Sequence, residues 1–132
     1  MRGRMVAALA LAAMSAACFA KADGAWLARV PQADHERVNP YAGQPEAIAA
    51  GRNLFLNNCA KCHGQDALGK TTRPSLRSAR IGSATDGDLA WLLKNGVVFK
   101  GMPRWAGLPE QERWQIVAYI RSLNGAGTEA TR

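Results

Sequence analysis

Apolar residues recur at helical spacing in three separate stretches of the chain. The first stretch begins at Pro45, a residue that suits the first turn of a helix, and Glu46 places an acid in that turn. Small and apolar residues follow at helical intervals: Ile48, Gly51, Leu54 and Phe55. This pattern predicts a first helix over roughly residues 45 to 58.

A second apolar face follows a typical helix-capping sequence. Thr85 is a good N-cap residue, and Asp88 stands three residues later, where an acid can complete the cap. Leu89, Leu92 and Leu93 then form one apolar face before Gly96 ends the pattern. These features predict a middle helix.

The third stretch opens with Pro109 and Glu110. Its inward positions share helical spacing: Trp114, Val117, Ala118 and Ile120. The pattern ends near Asn124, which predicts a last helix up to that point.

No strand-like alternation or internal repeat occurs, so the predicted fold class is all-α, with three or more helices and long loops. We place the folded domain at residues 45–124. Residues 23–44 contain Pro31, Pro40 and Gly43, and they are predicted to form an extended arm or wrap. The stretch from Gly64 to Ser83 is predicted to be a functional loop, and residues 125–132 a frayed tail.

The N-terminus has the pattern of a secretory signal peptide. Arg2 and Arg4 precede an uncharged apolar run that is too short for a comfortable membrane span. We assign residues 1–22 to this signal peptide, with cleavage after Ala20 or Ala22, and we expect cleavage to leave a periplasmic protein with no stable membrane insertion. Lipidation of Cys18 is the alternative, but its upstream residues are atypical for a lipobox.

Cleavage simplifies the chemistry of the mature chain. It leaves one cysteine pair, Cys59 and Cys62, one methionine, Met102, and two histidines, His35 and His63. If cleavage follows Ala20, the formal net charge falls from +7 to +5 because Arg2 and Arg4 leave and no acid does, so the mature protein stays basic.

The segment from Cys59 to His63 has the sequence Cys-Ala-Lys-Cys-His, the signature of covalent c-type haem attachment. Two thiols three residues apart can reach one edge of a porphyrin, and His63 then lies beneath the iron as proximal ligand. A thioredoxin-like redox pair, a structural zinc site and a simple disulfide are the alternatives. The adjacent His63, the export signal and the absence of a third mature cysteine all favour haem.

Met102 is the predicted second iron ligand. It is the only thioether left after cleavage, and it lies 39 residues after His63, far enough to return on the opposite haem face. Paired His and Met ligands are usual in electron-carrying cytochromes. His35 is the other neutral candidate, and it lies in the arm.

The haem motif, the Gly101-Met102-Pro103 loop, Gly51 with Phe55 on the first helix and Tyr119 on the last resemble a class I cytochrome c. The resemblance runs from about residue 45 to 123. It implies that the first and last helices cross closely at these glycine and aromatic positions.

The resemblance also implies that the Pro74 carbonyl accepts a hydrogen bond from the proximal His63 and so tunes it as a ligand. Here Arg73-Pro74-Ser75-Leu76 replaces the more usual Gly-Pro-Asn-Leu, which alters the neighbouring contacts. Pro74 is otherwise an ordinary turn residue.

A narrower similarity concerns the electron donor. Asn39-Pro40, residues 46–51, residues 85–88 and residues 102–105 are similar to cytochromes that accept electrons from quinoprotein alcohol dehydrogenases, which carry pyrroloquinoline quinone in the periplasm. The implied function is a periplasmic one-electron carrier with one haem c and its iron, working between a dehydrogenase and an oxidase or cytochrome acceptor. A small haem enzyme and a cytochrome subunit of a larger complex are the alternatives.

Charge suggests how such a carrier docks. The segment from Cys59 to Arg104 contains eight basic residues and three acidic ones. We call these basic residues the basic collar, and they would steer the haem edge to an acidic partner. The basic residues are Lys61, Lys70, Arg73, Arg77, Arg80, Lys94, Lys100 and Arg104. A solvated surface that only maintains solubility is the competing explanation. We expect a monomer that does not bind nucleic acid.

Overall fold

The computed structural model describes residues 24–125, and this part of the chain is helical, as predicted. Its α-helices are α1 Gln32–His35, α2 Pro45–Asn58, α3 Ala60–His63, α4 Ala79–Ser83, α5 Asp86–Asn95 and α6 Glu110–Leu123. Two 3-10 helices span Ala25–Arg29 and Val98–Lys100. Within residues 24–125 there is no strand, and single antiparallel bridges pair Lys70 with Arg73 and Val97 with Met102.

The predicted signal peptide, residues 1–22, lies outside the described residues, as do residues 126–132 of the predicted tail. None of the helices between residues 24 and 125 combines the length and the apolar character needed to cross a membrane.

The packing of α2 against α6 forms the centre of the fold. Gly51 on α2 faces the backbone of α6 so closely that a Cβ there would overlap the carbonyl oxygen of Gln115. The Phe55 and Tyr119 rings pack one turn further along, with centroids 5.3 Å apart and planes tilted by 53°. The close crossing implied by the resemblance is therefore confirmed.

Helix α5 has the cap that its sequence predicts. The Thr85 hydroxyl accepts a hydrogen bond from the Asp88 backbone N–H at 3.0 Å, and the Asp88 carboxylate accepts one from the Thr85 N–H at 2.8 Å. The predicted apolar face, Leu89, Leu92 and Leu93, is buried. This face packs α5 into the main apolar core beneath α6.

The N-terminal arm wraps around the core, but it is not extended. It forms the 3-10 helix and α1, because Pro31 starts a turn: its carbonyl accepts hydrogen bonds from the backbone N–H groups of Asp34 and His35. Trp26 packs against the main core, and the Asn39 amide donates to the Trp114 carbonyl at 2.9 Å. The arm is thus part of the folded unit.

The predicted loop from Gly64 to Ser83 ends in a short helix. Ser78 caps α4 by accepting a hydrogen bond from the Ile81 backbone N–H at 3.4 Å, and the Ile81 side chain is buried in the core. A helix of five residues is too short to produce an apolar period, so the prediction of a continuous loop was wrong there.

Candidate functional site

The two cysteines lie at the end of α2 and in the single turn of α3. Cys59 is the last residue held by α2, where its N–H donates to the Phe55 carbonyl at 2.8 Å. Its own carbonyl accepts hydrogen bonds from the N–H groups of Cys62 and His63, at 3.1 and 2.9 Å. This backbone turn sets the spacing of both thiols and the imidazole on the rigid end of a core helix.

Cys59 and Cys62 are half-buried free thiols. Burial, together with the smaller electrostatic effect of the nearby Cys62, raises the pKa of the Cys59 thiol to about 11. Redox-active Cys-x-x-Cys pairs instead lower the pKa of one thiol to form a thiolate. The environment of Cys59 therefore does not favour thioredoxin-like chemistry.

The His63 ring is oriented by Pro74. Its Nδ1 lies 3.0 Å from the Pro74 carbonyl oxygen. A carbonyl can only accept a hydrogen bond, so Nδ1 must carry the proton and donate it. The neutral ring then keeps its lone pair on Nε2, the nitrogen left to bind a metal ion.

Backbone hydrogen bonds fold the segment between His63 and Pro74 into two tight turns. The Gly69 N–H donates to the His63 carbonyl at 2.8 Å, and Lys70 and Arg73 then exchange two backbone hydrogen bonds of 3.1 and 2.8 Å. Gly69 has φ +85°, and a Cβ there would overlap the Arg73 carbonyl. These turns hold the Pro74 carbonyl within hydrogen-bond distance of the His63 imidazole.

Met102 lies in a second tight loop, between α5 and α6. Val97 and Met102 exchange two backbone hydrogen bonds, of 3.0 and 3.1 Å, around the 3-10 turn. Gly101 has φ +87°, a left-handed conformation that favours glycine. The Met102 side chain is half-buried and packs at the edge of the main core.

The donors and the apolar side chains of these two loops fit haem c. Two thiols, an imidazole with Nε2 available and a thioether make up the donor types that attach a c-type haem and ligate its iron. Large apolar side chains are unusually exposed in the same loops: Leu68 by 58%, Val98 by 57% and Phe99 by 72%. Such side chains suit contact with the faces and edge of a porphyrin.

His35 is engaged elsewhere. Its Nδ1 lies 2.8 Å from a carboxylate oxygen of Asp88, the acid that also caps α5. Its backbone carbonyl accepts a hydrogen bond from the Thr85 hydroxyl at 2.8 Å. The structure therefore ties His35 to the N-terminus of α5. No group of three or more His, Cys, Asp or Glu side chains that could hold a metal ion occurs between residues 24 and 125.

Two arginines, Arg73 and Arg113, hold the Met102 segment, and the sequence indicated this role for neither of them. Arg113 on α6 is buried, and its Nη1 donates to the carbonyls of Trp105, Ala106 and Leu108. Arg73 reaches the same segment from the Pro74 loop. Arginines are normally exposed, so no sequence signal marks a buried one that binds backbone carbonyls.

Two clefts lie between the arm, α5 and α6, and none of their lining residues is a predicted site residue. The larger has a volume of about 340 Å³ and includes Arg37, Tyr41 and Trp114 in its lining.

Comparison with known proteins identifies the family. Residues 46–120 match the family model described as cytochrome C oxidase, cbb3-type, subunit III. Cytochrome c550 of Pseudomonas aeruginosa is 34% identical over 89 residues, which cover 64% of this chain and 61% of that protein. Cytochrome c-554(547) of Halothiobacillus neapolitanus is 37% identical over 86 residues, or 57% of this chain and 94% of that protein.

Oxidase subunits and a solved cytochrome structure are also similar to this chain. The cbb3-type cytochrome c oxidase subunit CcoP of Rubrivivax gelatinosus is 36% identical over 88 residues, but these span only 29% of that subunit against 64% of this chain. Cytochrome CL from the marine methylotrophic bacterium Methylophaga aminisulfidivorans MPT has a TM-score of 0.56 at 32% identity, covering 63% of this chain and 57% of that one.

The chain is thus shorter than some of its relatives, spanning 29% of the oxidase subunit and 61% of cytochrome c550. The family match nevertheless covers most of the helical core, from α2 into α6. The chain belongs to the cytochrome c family described by the cbb3-type subunit III model and is a class I c-type cytochrome, a family whose haem c is covalently bound.

Proposed function

We propose that this protein is a periplasmic one-electron carrier with a single His/Met-ligated c-type haem. It takes electrons from a dehydrogenase and delivers them to a downstream acceptor such as an oxidase. The observation that carries the proposal is the hydrogen bond between His63 Nδ1 and the Pro74 carbonyl, which leaves Nε2 as a metal ligand one residue after Cys62.

In this proposal Cys59 and Cys62 hold the haem by thioether bonds, and His63 and Met102 ligate its iron. When bound, the haem supplies an iron that alternates between ferrous and ferric states. The chain's own task is to keep both ligands in place. The Pro74 carbonyl prevents the imidazole from turning, and the Val97 and Met102 bridge holds the backbone at the thioether.

The assignment of Met102 rather than His35 is supported by their surroundings. His35 is bound to Asp88 through Nδ1, and Asp88 is almost fully buried, so releasing His35 would leave that carboxylate without one of its partners. Met102 has a side chain that can only accept, and it lies in a loop flanked by exposed apolar residues.

The surroundings of the site favour a carrier over a haem enzyme. An enzyme that activates peroxide or another small substrate needs acid and base groups beside an open iron position. Residues 64–78 and 96–108 contain no histidine and a single carboxylate, Asp66, whose side chain accepts a hydrogen bond from the Leu68 N–H at 3.0 Å.

The surface around the site supports docking to an acidic partner. Six of the eight basic residues between Cys59 and Arg104 are exposed. Five of these lie in α3 or in the two loops of the site, namely Lys61, Lys70, Arg77, Lys100 and Arg104, whereas Lys94 on α5 lines a cleft beside Glu110. The parts of Leu68 and Phe99 that a bound haem leaves uncovered would add apolar contact area within this basic collar. Apolar contacts surrounded by charge give a short-lived complex whose formation is fast and salt-dependent, as a shuttle requires.

A pyrroloquinoline-quinone-dependent alcohol dehydrogenase is the proposed donor. The support comes from the short segments similar to cytochromes that serve such enzymes, and from the similarity to a cytochrome of a methylotrophic bacterium. Stopped-flow mixing of the oxidised protein with that dehydrogenase and its alcohol should reduce the haem within milliseconds. Reduction no faster than by an unrelated dehydrogenase would exclude this donor.

A second candidate is a cytochrome subunit of a larger oxidase. It is favoured by the family model and by the similarity to CcoP. Native-size chromatography of detergent extracts separates the two functions: a free carrier elutes as a monomer near its mass of 14.1 kDa or below, whereas a subunit elutes with an oxidase. Mass spectrometry of the same fraction should show one haem that survives acid denaturation.

A further inference from the structure

The loop that carries Pro74 and the loop that carries Met102 are joined by one side chain, that of Arg73. Its Nη1 donates to the Lys100 carbonyl at 3.1 Å. The guanidinium also lies against Gly101, where a Cβ would be 2.8 Å from Nη1 and 3.3 Å from Nη2. Arg73 therefore touches the two residues that immediately precede Met102.

The backbone of Arg73 is firmly held on the Pro74 side. Arg73 exchanges two hydrogen bonds with Lys70, and its carbonyl packs on Gly69. The next residue is Pro74, whose carbonyl orients His63. The Arg73 side chain therefore links the segment that orients His63 directly to the Met102 loop.

The far end of the contact is the apex of the Met102 loop. The Lys100 N–H donates to the Val97 carbonyl at 2.9 Å, and Val97 also pairs with Met102. This apex is a short 3-10 turn, Val98–Lys100, that buries none of its residues in the protein core. The charged hydrogen-bond donor of Arg73 restrains this apex from the neighbouring loop.

We propose that Arg73 is a positioning residue: it fastens the Met102 loop to the Pro74 loop and so limits the opening of the thioether away from the iron. The inference rests on the proposed function, in which Met102 is the distal ligand. A glycine at this position, as in the Gly-Pro-Asn-Leu pattern of the class I resemblance, has no side chain and could not make this contact.

Arg77 offers a matched control. It is a basic residue of the same loop, and its Nε donates to the Asp66 carbonyl at 2.7 Å, a contact within that loop. Arg77→Gln removes the same charge as Arg73→Gln without touching the Met102 loop. Any difference between the two variants therefore reports the contact and not the charge.

The test measures cyanide binding to the ferric holoprotein and the near-infrared sulfur-to-iron band for the parent, Arg73→Gln, Arg73→Lys and Arg77→Gln. Arg73→Gln should bind cyanide about tenfold faster. Losing one hydrogen bond from a charged donor should raise the equilibrium constant for opening of the Met102 loop by about tenfold. Its sulfur-to-iron band should bleach at a lower temperature. Arg77→Gln should stay within about twofold of the parent, and Arg73→Lys should lie between the two.

Equal rates in Arg73→Gln and Arg77→Gln would overturn the inference while leaving Met102 as a ligand. Absence of the sulfur-to-iron band in the parent would instead overturn the ligand assignment, and the inference with it. Amide exchange at Met102 provides a readout that does not depend on the iron's spectrum: exchange should be faster in Arg73→Gln alone, and unchanged exchange would also contradict the inference.

Discussion

At the scale of single residues, the position of one proton on His63 decides which nitrogen can bind metal. The Pro74 carbonyl accepts a hydrogen bond from His63 Nδ1–H, and because a carbonyl can only accept, the proton stays on Nδ1. Unlike a carboxylate partner, it brings no net charge near the ring. The arrangement therefore fixes the tautomer without adding the negative charge that would stabilise the ferric state.

The proposed distal ligand, Met102, gives the most direct residue-level prediction. Met102→Ala should abolish the near-infrared sulfur-to-iron band of the ferric protein, lower the reduction potential and allow cyanide to bind, because the proposed thioether ligand would stabilise ferrous iron and keep other ligands from it. Absorption spectroscopy and a redox titration measure these three changes.

His35→Ala is the control for Met102→Ala. It removes the partner of Asp88 at the α5 cap, so it should lower thermal stability while leaving the band and the potential nearly unchanged. If His35→Ala removed an iron ligand instead, the protein would be a bis-histidine cytochrome, and the proposed donor would have to be reconsidered.

The sequence predicts the site residues that belong to a motif, but it does not predict those that act through backbone contacts. One contiguous motif contains Cys59, Cys62 and His63, so their role in haem attachment can be predicted without a structure. Arg73 and Arg113 act through backbone carbonyls that lie far along the chain or belong to a loop. Any residue has a carbonyl, so such contacts leave no pattern in the sequence.

At the scale of helices, the crossing of α2 and α6 depends on the missing side chain of Gly51. Gly51→Ala would place a methyl group against the Gln115 carbonyl and push the helices apart. We expect a loss of about 1–3 kcal/mol in the free energy of unfolding, the usual range for overpacking. Denaturant unfolding of the holoprotein measures it.

Gly107→Ala is the matched control, because nothing lies within 4 Å of a Cβ at that position and its φ is not in the left-handed region. Its effect should stay below about 0.5 kcal/mol. Comparable losses in both variants would mean that glycine content as such, and not the helix crossing, determines the stability.

The cap of α5 gives a second prediction at this scale. Thr85→Ala removes the acceptor for the Asp88 N–H and the donor to the His35 carbonyl, so it should cost about 1–2 kcal/mol of stability. Thermal unfolding checks this value against Thr71→Ala, an exposed loop threonine. A Thr85→Ala variant as stable as the parent would show that the capping box contributes nothing.

The predicted and observed elements differ in a physically consistent way. The bounds of α2, α5 and α6 agree closely with the prediction because each helix is long enough for an apolar period and has a proline or a capping box at its start. α1 and α4 have four and five residues, and they depend on single turns and tertiary anchors. Their sequences contain too little periodicity to distinguish them from loop.

At the scale of the whole molecule, charge should control how fast the protein meets its partner. We expect the rate of electron exchange with the physiological donor to fall as ionic strength rises, because salt screens exposed charges over about 10 Å at 0.1 M. At low salt, Lys61→Glu combined with Lys100→Glu should slow the exchange by about tenfold or more. Stopped-flow kinetics over a salt series measure both effects.

Arg29→Glu combined with Arg52→Glu changes the net charge by the same amount, at exposed positions outside the loops of the site. This control should slow the exchange much less, since steering depends on where the charge lies. If the rate of electron exchange does not vary with ionic strength, the basic collar does not steer docking and only maintains solubility.

The crossing of α2 with α6 also sets an order of events during biogenesis. It joins a helix that begins at residue 45 to one that ends at residue 123, so the centre of the core cannot assemble until nearly the whole domain has emerged. Contacts between residues so far apart in sequence form late and slow the folding of a small protein. During that delay Cys59 and Cys62 belong to an open chain in which both thiols are accessible. The topology thus leaves time for thioether formation before burial of the Cys59 side chain restricts access to it.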